Sequence, residues 1–347
     1  MSETHELHRK RRKPLEPFFS RQGIERIESS VAEETRLLDD RIQALRGSNA
    51  VIRLDHAFSA FAGDVIGKIC CEEPPKFLED ANFAPYWHNL IDKVVSQILL
   101  FMHVPWLIAR VDRENSKSSI FRHLISSDLP EPEKSSERFS REAMVLLWAG
   151  TATTARTMGF VSYYVLANPR IRERLREELR ELTACYPNKV PRWADVEKVP
   201  YLQACIKEGL RVSFGVMRRL PRCSPDVVLE YKQYSIPKNT PVDMGAYLMH
   251  TDPEVYLEPF KFSPERWLGD YNPLMNRNFV PFSKGSRNCL GINLAYAEMN
   301  LALATLLRLG GPDLSLFETD ESDVKQAVDF LMPVPKLDTR GTRVMVH

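Results

Sequence analysis

The 347-residue sequence predicts a mainly α fold with a small β component. Three observations carry that reading. Apolar residues recur at helical spacing through most of the chain. Strand-like alternation is confined to short runs near residues 51–54 and 226–248. Residues 251–288 have almost no period and are rich in Pro, Asn, Gly and aromatic side chains, the mark of a long loop that has work to do in a compact domain.

The elements follow in order. Ile24, Ile27, Val31, Leu37, Leu38, Ile42 and Leu45 form one helical stripe from Gln22 to about Arg46, stopped by Gly47-Ser48-Asn49. A short strand, Val51–Leu54, and a helix over 55–72 come next. Residues 83–110 read as a strongly apolar helical region, and residues 126–138 as a polar, Pro-containing loop. A long helix over 139–166 is apolar nearly all round, which places it at the centre of the fold. Its middle, Ala149-Gly150-Thr151-Ala152-Thr153-Thr154, is unusual, because Gly and clustered Thr are weak helix formers and Thr hydroxyls bond back to carbonyls. Asn168-Pro169 opens a charged helix over 170–186, a further helix covers 201–213, and the last major helix covers about 290–308.

Composition bounds the function classes. Hydrophobic residues make up 44% and charged residues 27%, which suits a globular protein with a sizeable core and one large domain over 1–347. A net charge of +1 gives no electrostatic case for nucleic acid. The six cysteines (70, 71, 185, 205, 223 and 289) form no C-x-x-C pair, so a structural zinc site of that kind is poorly supported and a reducing compartment is the simplest reading. The N-terminal residues carry no apolar signal core. The most apolar run, Val94–Ala109, contains Ser96, Gln97, His103 and Pro105 and is short for a membrane span; it reads as a buried helix or a surface that dips into lipid.

The strongest chemical signal is Phe282-Ser-Lys-Gly285-Ser-Arg287-Asn-Cys289-Leu-Gly291, an F-x-x-G-x-R-x-C-x-G pattern. Five fixed positions recur by accident in a chain of this length on the order of once in ten thousand sequences. Gly285 allows a sharp turn close to a flat cofactor. Cys289 stands where a helix begins, where free N–H groups and the helix dipole favour a thiolate, the form that ligates iron. Arg287 suits a propionate, and Gly291 lets the helix pass close to a ring. An isolated cysteine would read as a structural thiol in a turn; its four patterned neighbours argue against that.

This segment resembles the cysteine loop of the cytochrome P450 superfamily, and further motifs follow in that superfamily's order. Glu208-Gly-Leu-Arg211 resembles the E-x-x-R helix, and Pro264-Glu-Arg266-Trp267 the P-E-R-F element whose arginine completes an E–R–R network. An E-x-x-R pair alone is usually just a solvated helical pair; its place before the cysteine loop gives it weight. Ala149–Thr154 resembles the oxygen-activation helix, with Thr153 and Thr154 as the catalytic threonines, but Ala152 stands where the family carries an acid. That departure puts the coupling of oxygen reduction to substrate oxidation in question. Read alone, the cluster His8–Lys13 is a basic tail or nuclear-type signal; beside the other motifs, His8-x-x-x-Arg12 resembles the W-x-x-x-R helix with His for Trp. Arg222, rather than Arg219, is the expected further propionate partner.

The resemblance covers nearly the whole chain and implies a P450 fold that lacks the anchor, early helices and N-terminal sheet portion preceding the W-x-x-x-R element. It further implies haem b held by Cys289, with Arg12, His8, Arg222, Phe282, Gly285, Arg287 and Gly291 as haem contacts. The implied partners are O2, a small hydrophobic substrate and an NADPH-cytochrome P450 reductase docking near Lys284. The implied location is the cytosolic face of the endoplasmic reticulum, with peripheral membrane contact. The surrounding sequence is similar to fungal secondary-metabolism members near trichodiene oxygenase, often acting on terpenoids. Two alternatives stay open: a peroxide-using or isomerase-type haem-thiolate enzyme, and a truncated, non-catalytic haem-binding remnant.

Overall fold

In a computed structural model of the chain, which describes residues 5–71, 73–93 and 120–347, helices dominate and the strands are short. In order these are α1 (His5–Arg12), α2 (Glu16–Phe19), α3 (Arg21–Gln43), β1 (Val51–Arg53), α4 (Leu54–Cys70), α5 (residues 85–93), α6 (Ile120–Ser126), α7 (Ser136–Ala167), α8 (Pro169–Leu179), α9 (Trp193–Val196), α10 (Pro200–Ser213), β2 (Leu229–Tyr231), β3 (Tyr234–Ile236), α11 (Ala246–His250), α12 (Leu274–Asn278), α13 (Ile292–Leu306), β4 (Leu314–Leu316), β5 (Val328–Phe330), β6 (Met332–Val334) and β7 (Arg343–Val346). The apolar run at 94–109 lies outside the described residues.

The central helix is α7. Its N-terminus is capped by the Ser135 hydroxyl, which accepts from the Arg138 N–H, and it ends where Asn168 turns outward to cap α8 ahead of Pro169. It packs against α4, α10 and α13. Gly150 permits a close crossing with α4: a Cβ there would stand 2.9 Å from Ile66 Cγ1. Gly209 does the same on α10, where a Cβ would lie 2.3 Å from Val161 Cγ2. The core between these helices is apolar and closed, with Phe58, Phe61, Met158, Val161, Leu202, Ala302 and Leu303 fully or almost fully buried. Burying such side chains contributes roughly 1.5–3 kcal/mol each relative to leaving them exposed.

The sheets are peripheral. β7 pairs antiparallel with both β1 and β4, joining residues near 51 to the C-terminus, while β2–β3 and β5–β6 are two hairpins.

Three sequence expectations need correction. The helix expected to Tyr186 stops at Leu179; Thr183 and Cys185 are weak helix formers and Pro187 disfavours helix just ahead of it. The alternation read over 226–248 yields only two three-residue strands, because Val227 and Val228 remain exposed and give the run no core face; residues 246–250 are helical instead. The helix that follows the cysteine loop starts at Ile292, two residues later than expected.

Candidate functional site

The cysteine loop is built by its own backbone. Gly285 has φ +79°, the left-handed turn expected of it, and opens a single 3-10 turn to Arg287. The Cys289 N–H then donates to the Phe282 carbonyl at 2.9 Å, closing the loop, and the Phe282 ring packs on Tyr296 of α13. Arg12 pins this loop to α1: its Nη1 donates to the Asn288 carbonyl at 2.6 Å and its Nη2 to Asn288 Oδ1 at 2.9 Å, while Nε pairs with Glu16. These bonds engage three of the five guanidinium N–H groups, so they tie Arg12 to the loop without excluding the propionate contact expected of it. Asn288, which sequence reasoning did not single out, is the acceptor that makes this possible.

Cys289 is exposed, and what it is exposed to is a cavity of about 910 Å3. Gly150, Thr153 and Thr154 of α7 line the same cavity, as do Phe282, Arg287, Gly291 and Arg222. Surrounding atoms push the Cys289 thiol above its ordinary pKa; the Gly291 N–H and the charge of Arg12 act the other way without prevailing. The start of α13, through the Gly291 N–H, thus acts in the direction expected of it, toward the thiolate, while burial opposes it. A coordinating cation is what would deprotonate the thiol.

Positive charge converges beside the loop. His8 has its pKa lowered by burial and by the charges of Arg287, Arg12 and Arg222. Arg222 donates only to the carbonyls of Leu220 and Pro221, and among the described residues it has no carboxylate partner. Arg218 and Arg222, not Arg219, line the cavity. A Cβ on Gly291 would meet no protein atom within 4 Å, so the backbone there faces open space. One thiol, a cluster of cations and a bare glycine face on a mostly apolar cavity fit a haem: Cys289 would hold the iron, and Arg287 and Arg222 the propionates.

On the opposite wall the Thr153 hydroxyl donates to the Ala149 carbonyl at 2.8 Å, as Thr151 does to Leu147, and α7 remains helical throughout. Thr154 is buried and interacts with Glu298 of α13, a fully enclosed carboxyl that burial pushes well above the carboxylate range. Glu298 is thus held as a neutral acid, a residue that no sequence pattern disclosed. Ala152 turns away from the cavity and packs with Ile91 and Met332.

Behind the loop lies a buried ion network. Glu208 and Arg211, both fully enclosed, pair through two bonds of 2.9 and 2.7 Å. Arg266 Nε, Trp267 Nε1 and the Ser263 N–H each donate to Glu208 at 2.9 Å. Arg211 also donates to the carbonyls of His250, Pro259 and Lys261. His250 completes the link: its Nε2 accepts from the Val280 N–H at 2.9 Å and its Nδ1 faces the Arg211 carbonyl at 3.0 Å. The network therefore holds the strand of chain entering the cysteine loop. Trp267 and His250 were not predicted as members; the motif spacing flagged only the charged residues.

Comparison with known proteins agrees with this arrangement. The cytochrome P450 family profile matches residues 108–309. Cytochrome P450 monooxygenase tndB of Aspergillus flavipes is 51% identical, covering 84% of this chain and 72% of that protein. The fusicoccadiene C-8 hydroxylase of Phomopsis amygdali is 44% identical over 100% of this chain and 75% of its own length. Stellatic acid synthase of Emericella variicolor is 44% identical over 99% and 73%. With the cysteine loop, the E–R–R network and this extent of similarity together, the chain belongs to the cytochrome P450 family, a monooxygenase class whose cofactor is a haem-thiolate.

Proposed function

We propose that the chain hydroxylates or otherwise oxygenates a cyclic terpene hydrocarbon, using haem b ligated by Cys289, O2, and electrons from an NADPH-dependent reductase. The observation that carries this reading is that Cys289 and Thr153 face one apolar cavity of about 910 Å3, roomy enough for a polycyclic hydrocarbon. The haem supplies oxygen activation when bound. The chain's own residues do the rest. Val145, Leu146, Leu210 and Val216 make part of the cavity wall apolar, so that a hydrocarbon would be held there by shape and by exclusion of water. Arg222 and Arg287 anchor the cofactor's acidic edge. The hydroxyl of Thr153, which rotation about χ1 would release from its Ala149 contact, is the group placed to hold a proton next to the cavity. The names of the relatives, a fusicoccadiene hydroxylase and stellatic acid synthase, support the substrate class.

Lys284 is exposed beside the cysteine loop and offers positive charge for reductase docking. We place the enzyme at the cytosolic face of the endoplasmic reticulum, in peripheral contact with lipid; no helix among the described residues is long and apolar enough to cross a membrane. Ala152 favours a second reading, a peroxide-using enzyme, since the usual acid is missing beside Thr153. Co-expression with a fungal reductase and a panel of cyclic di- and sesterterpene hydrocarbons tests both. Products one oxygen heavier that require NADPH and reductase are expected. Turnover with peroxide alone would select the second reading, and no oxygenated product under either condition would refute the proposal.

A further inference from the structure

Away from the cysteine cavity, α4 and α5 bring a second set of chemical groups together. His88 Nε2 lies 3.3 Å from Asp55 Oδ2 and 3.2 Å from Asp92 Oδ2, and one ligand atom each from Asp55, His56 and His88 fall within 4.8 Å of one another. We propose that Asp55, His56, His88 and Asp92 form a binding site for a divalent transition metal of the zinc class. The site is distinct from the haem iron and does not bear on the cysteine pattern.

Four features of the geometry point this way. First, the spacing fits. Ligand atoms about 2.0–2.1 Å from a tetrahedral metal stand roughly 3.3 Å apart, the separation His88 keeps from both carboxylates. Both distances are long for a charge-assisted hydrogen bond, which closes to about 2.7–2.9 Å, and one N–H shared between two oxygens serves each only weakly. Second, the ring of His88 is oriented by a neighbour of the kind metal-binding histidines use. Its Nδ1 meets Ser59 Oγ at 2.8 Å, which leaves Nε2 for the two carboxylates. Third, His56 is only 8% exposed and its Nε2 is enclosed with no hydrogen-bond partner among the described residues. A buried imidazole nitrogen without a partner is uncommon and calls for a ligand. Its ring sits 4.9 Å from that of His88. Fourth, there is a route in. Asp55, His88 and Asp92 line a separate cavity of about 340 Å3 bounded by Arg156 of α7 and by the β5–β6 hairpin. Arg53 pairs with Asp55 and would act as an outer partner that orients a ligating carboxylate.

The set of two imidazoles and two carboxylates suits zinc, cobalt or manganese better than calcium or magnesium, which prefer oxygen alone. The wall of the same cavity includes Ala152, so a metal here would sit behind the helix that carries Thr153, on the side where the family's usual acid is missing.

The test uses the haem-loaded, full-length chain. Stripped protein is titrated with Zn2+ against a chromophoric chelator, with the metal counted by mass spectrometry and the Soret band read as a control for folding. One Zn2+ per chain is expected, with His56→Asn and His88→Asn each weakening binding roughly a hundredfold and the more exposed Asp92→Asn about tenfold. A rise in melting temperature on adding Zn2+ to the unmodified protein is expected too, and that reading does not depend on any variant folding. No bound zinc and no rise in melting temperature would overturn the proposal. So would zinc retained equally by both histidine variants, which would mark an adventitious surface ion.

Discussion

Replacing Glu208 by Gln leaves the size of the side chain unchanged and removes one charge from a place where nothing else can supply it. In the native chain its carboxylate accepts five hydrogen bonds, two from Arg211 and one each from Arg266, Trp267 and the Ser263 N–H. Glutamine has one acceptor oxygen and presents an NH2 group where the second oxygen was. At least two donors then point at another donor, and the Arg211 guanidinium, 0% exposed, keeps its charge with only backbone carbonyls to face. Removing one partner of a buried ion pair costs about 3–5 kcal/mol, against a total folding stability on the order of 5–15 kcal/mol for a domain. Guanidinium denaturation followed by circular dichroism should therefore show Glu208→Gln losing about a fifth or more of the stability. Haem retention should fall with it, because the chain from Arg266 to Val280 is tied to α10 through this carboxylate and His250. Arg192→Ala, which breaks an exposed pair with Asp195, serves as the control and should leave the midpoint unchanged. A loss below about 1 kcal/mol for Glu208→Gln would refute the argument that this network locks the cysteine loop.

Three further outcomes follow from the same geometry. His250 has its pKa depressed to about 3 by burial, with Nε2 already occupied by the Val280 N–H. The unfolded imidazole takes up a proton below about pH 6.5 and the folded one does not, so this stability is complete above that pH and is lost as pH falls toward 3. Between pH 7 and 5 the native protein should lose about 2 kcal/mol more than His250→Asn in paired denaturation curves. Gly209→Ala should destabilise by about 1–3 kcal/mol or more, since its Cβ would overlap Val161 at the α7–α10 crossing, and melting temperature would report it. Glu298→Gln, which keeps a neutral group beside Thr154, should retain folding and haem, whereas Glu298→Lys should not express as folded protein.

Much of this architecture was legible in the sequence because it rests on local chemistry. The α3 stripe, the start of α8 at Asn168-Pro169 and the turn at Gly285 each follow from a few adjacent residues. The E-x-x-R pair and the P-E-R element were legible for a different reason: they resemble family motifs and stand in the family's order before the cysteine loop, whereas alone each would read as ordinary surface charge. What stayed hidden depends on distant segments meeting. His250 and Asn288 act through backbone groups far along the chain, and those contacts leave no periodic trace. Glu298 reads as an ordinary polar residue on a helix until the fold buries it beside Thr154 of α7. The pairing of Asp55 and His56 with His88 and Asp92 likewise exists only where α4 and α5 cross. In the other direction, the exposed alternation around Val227 shows that a strand-like pattern without a face to bury yields little sheet.

The most direct test of the account is the carbon monoxide difference spectrum of the reduced, haem-loaded protein, run beside Cys289→Ser. A strongly red-shifted Soret band in the native chain that disappears in the variant is the predicted result, since Cys289 is the one cysteine among the described residues that lines the cavity. An unshifted band, or a shifted band that survives the substitution, would contradict the assignment of Cys289 as the iron ligand and with it the proposed chemistry.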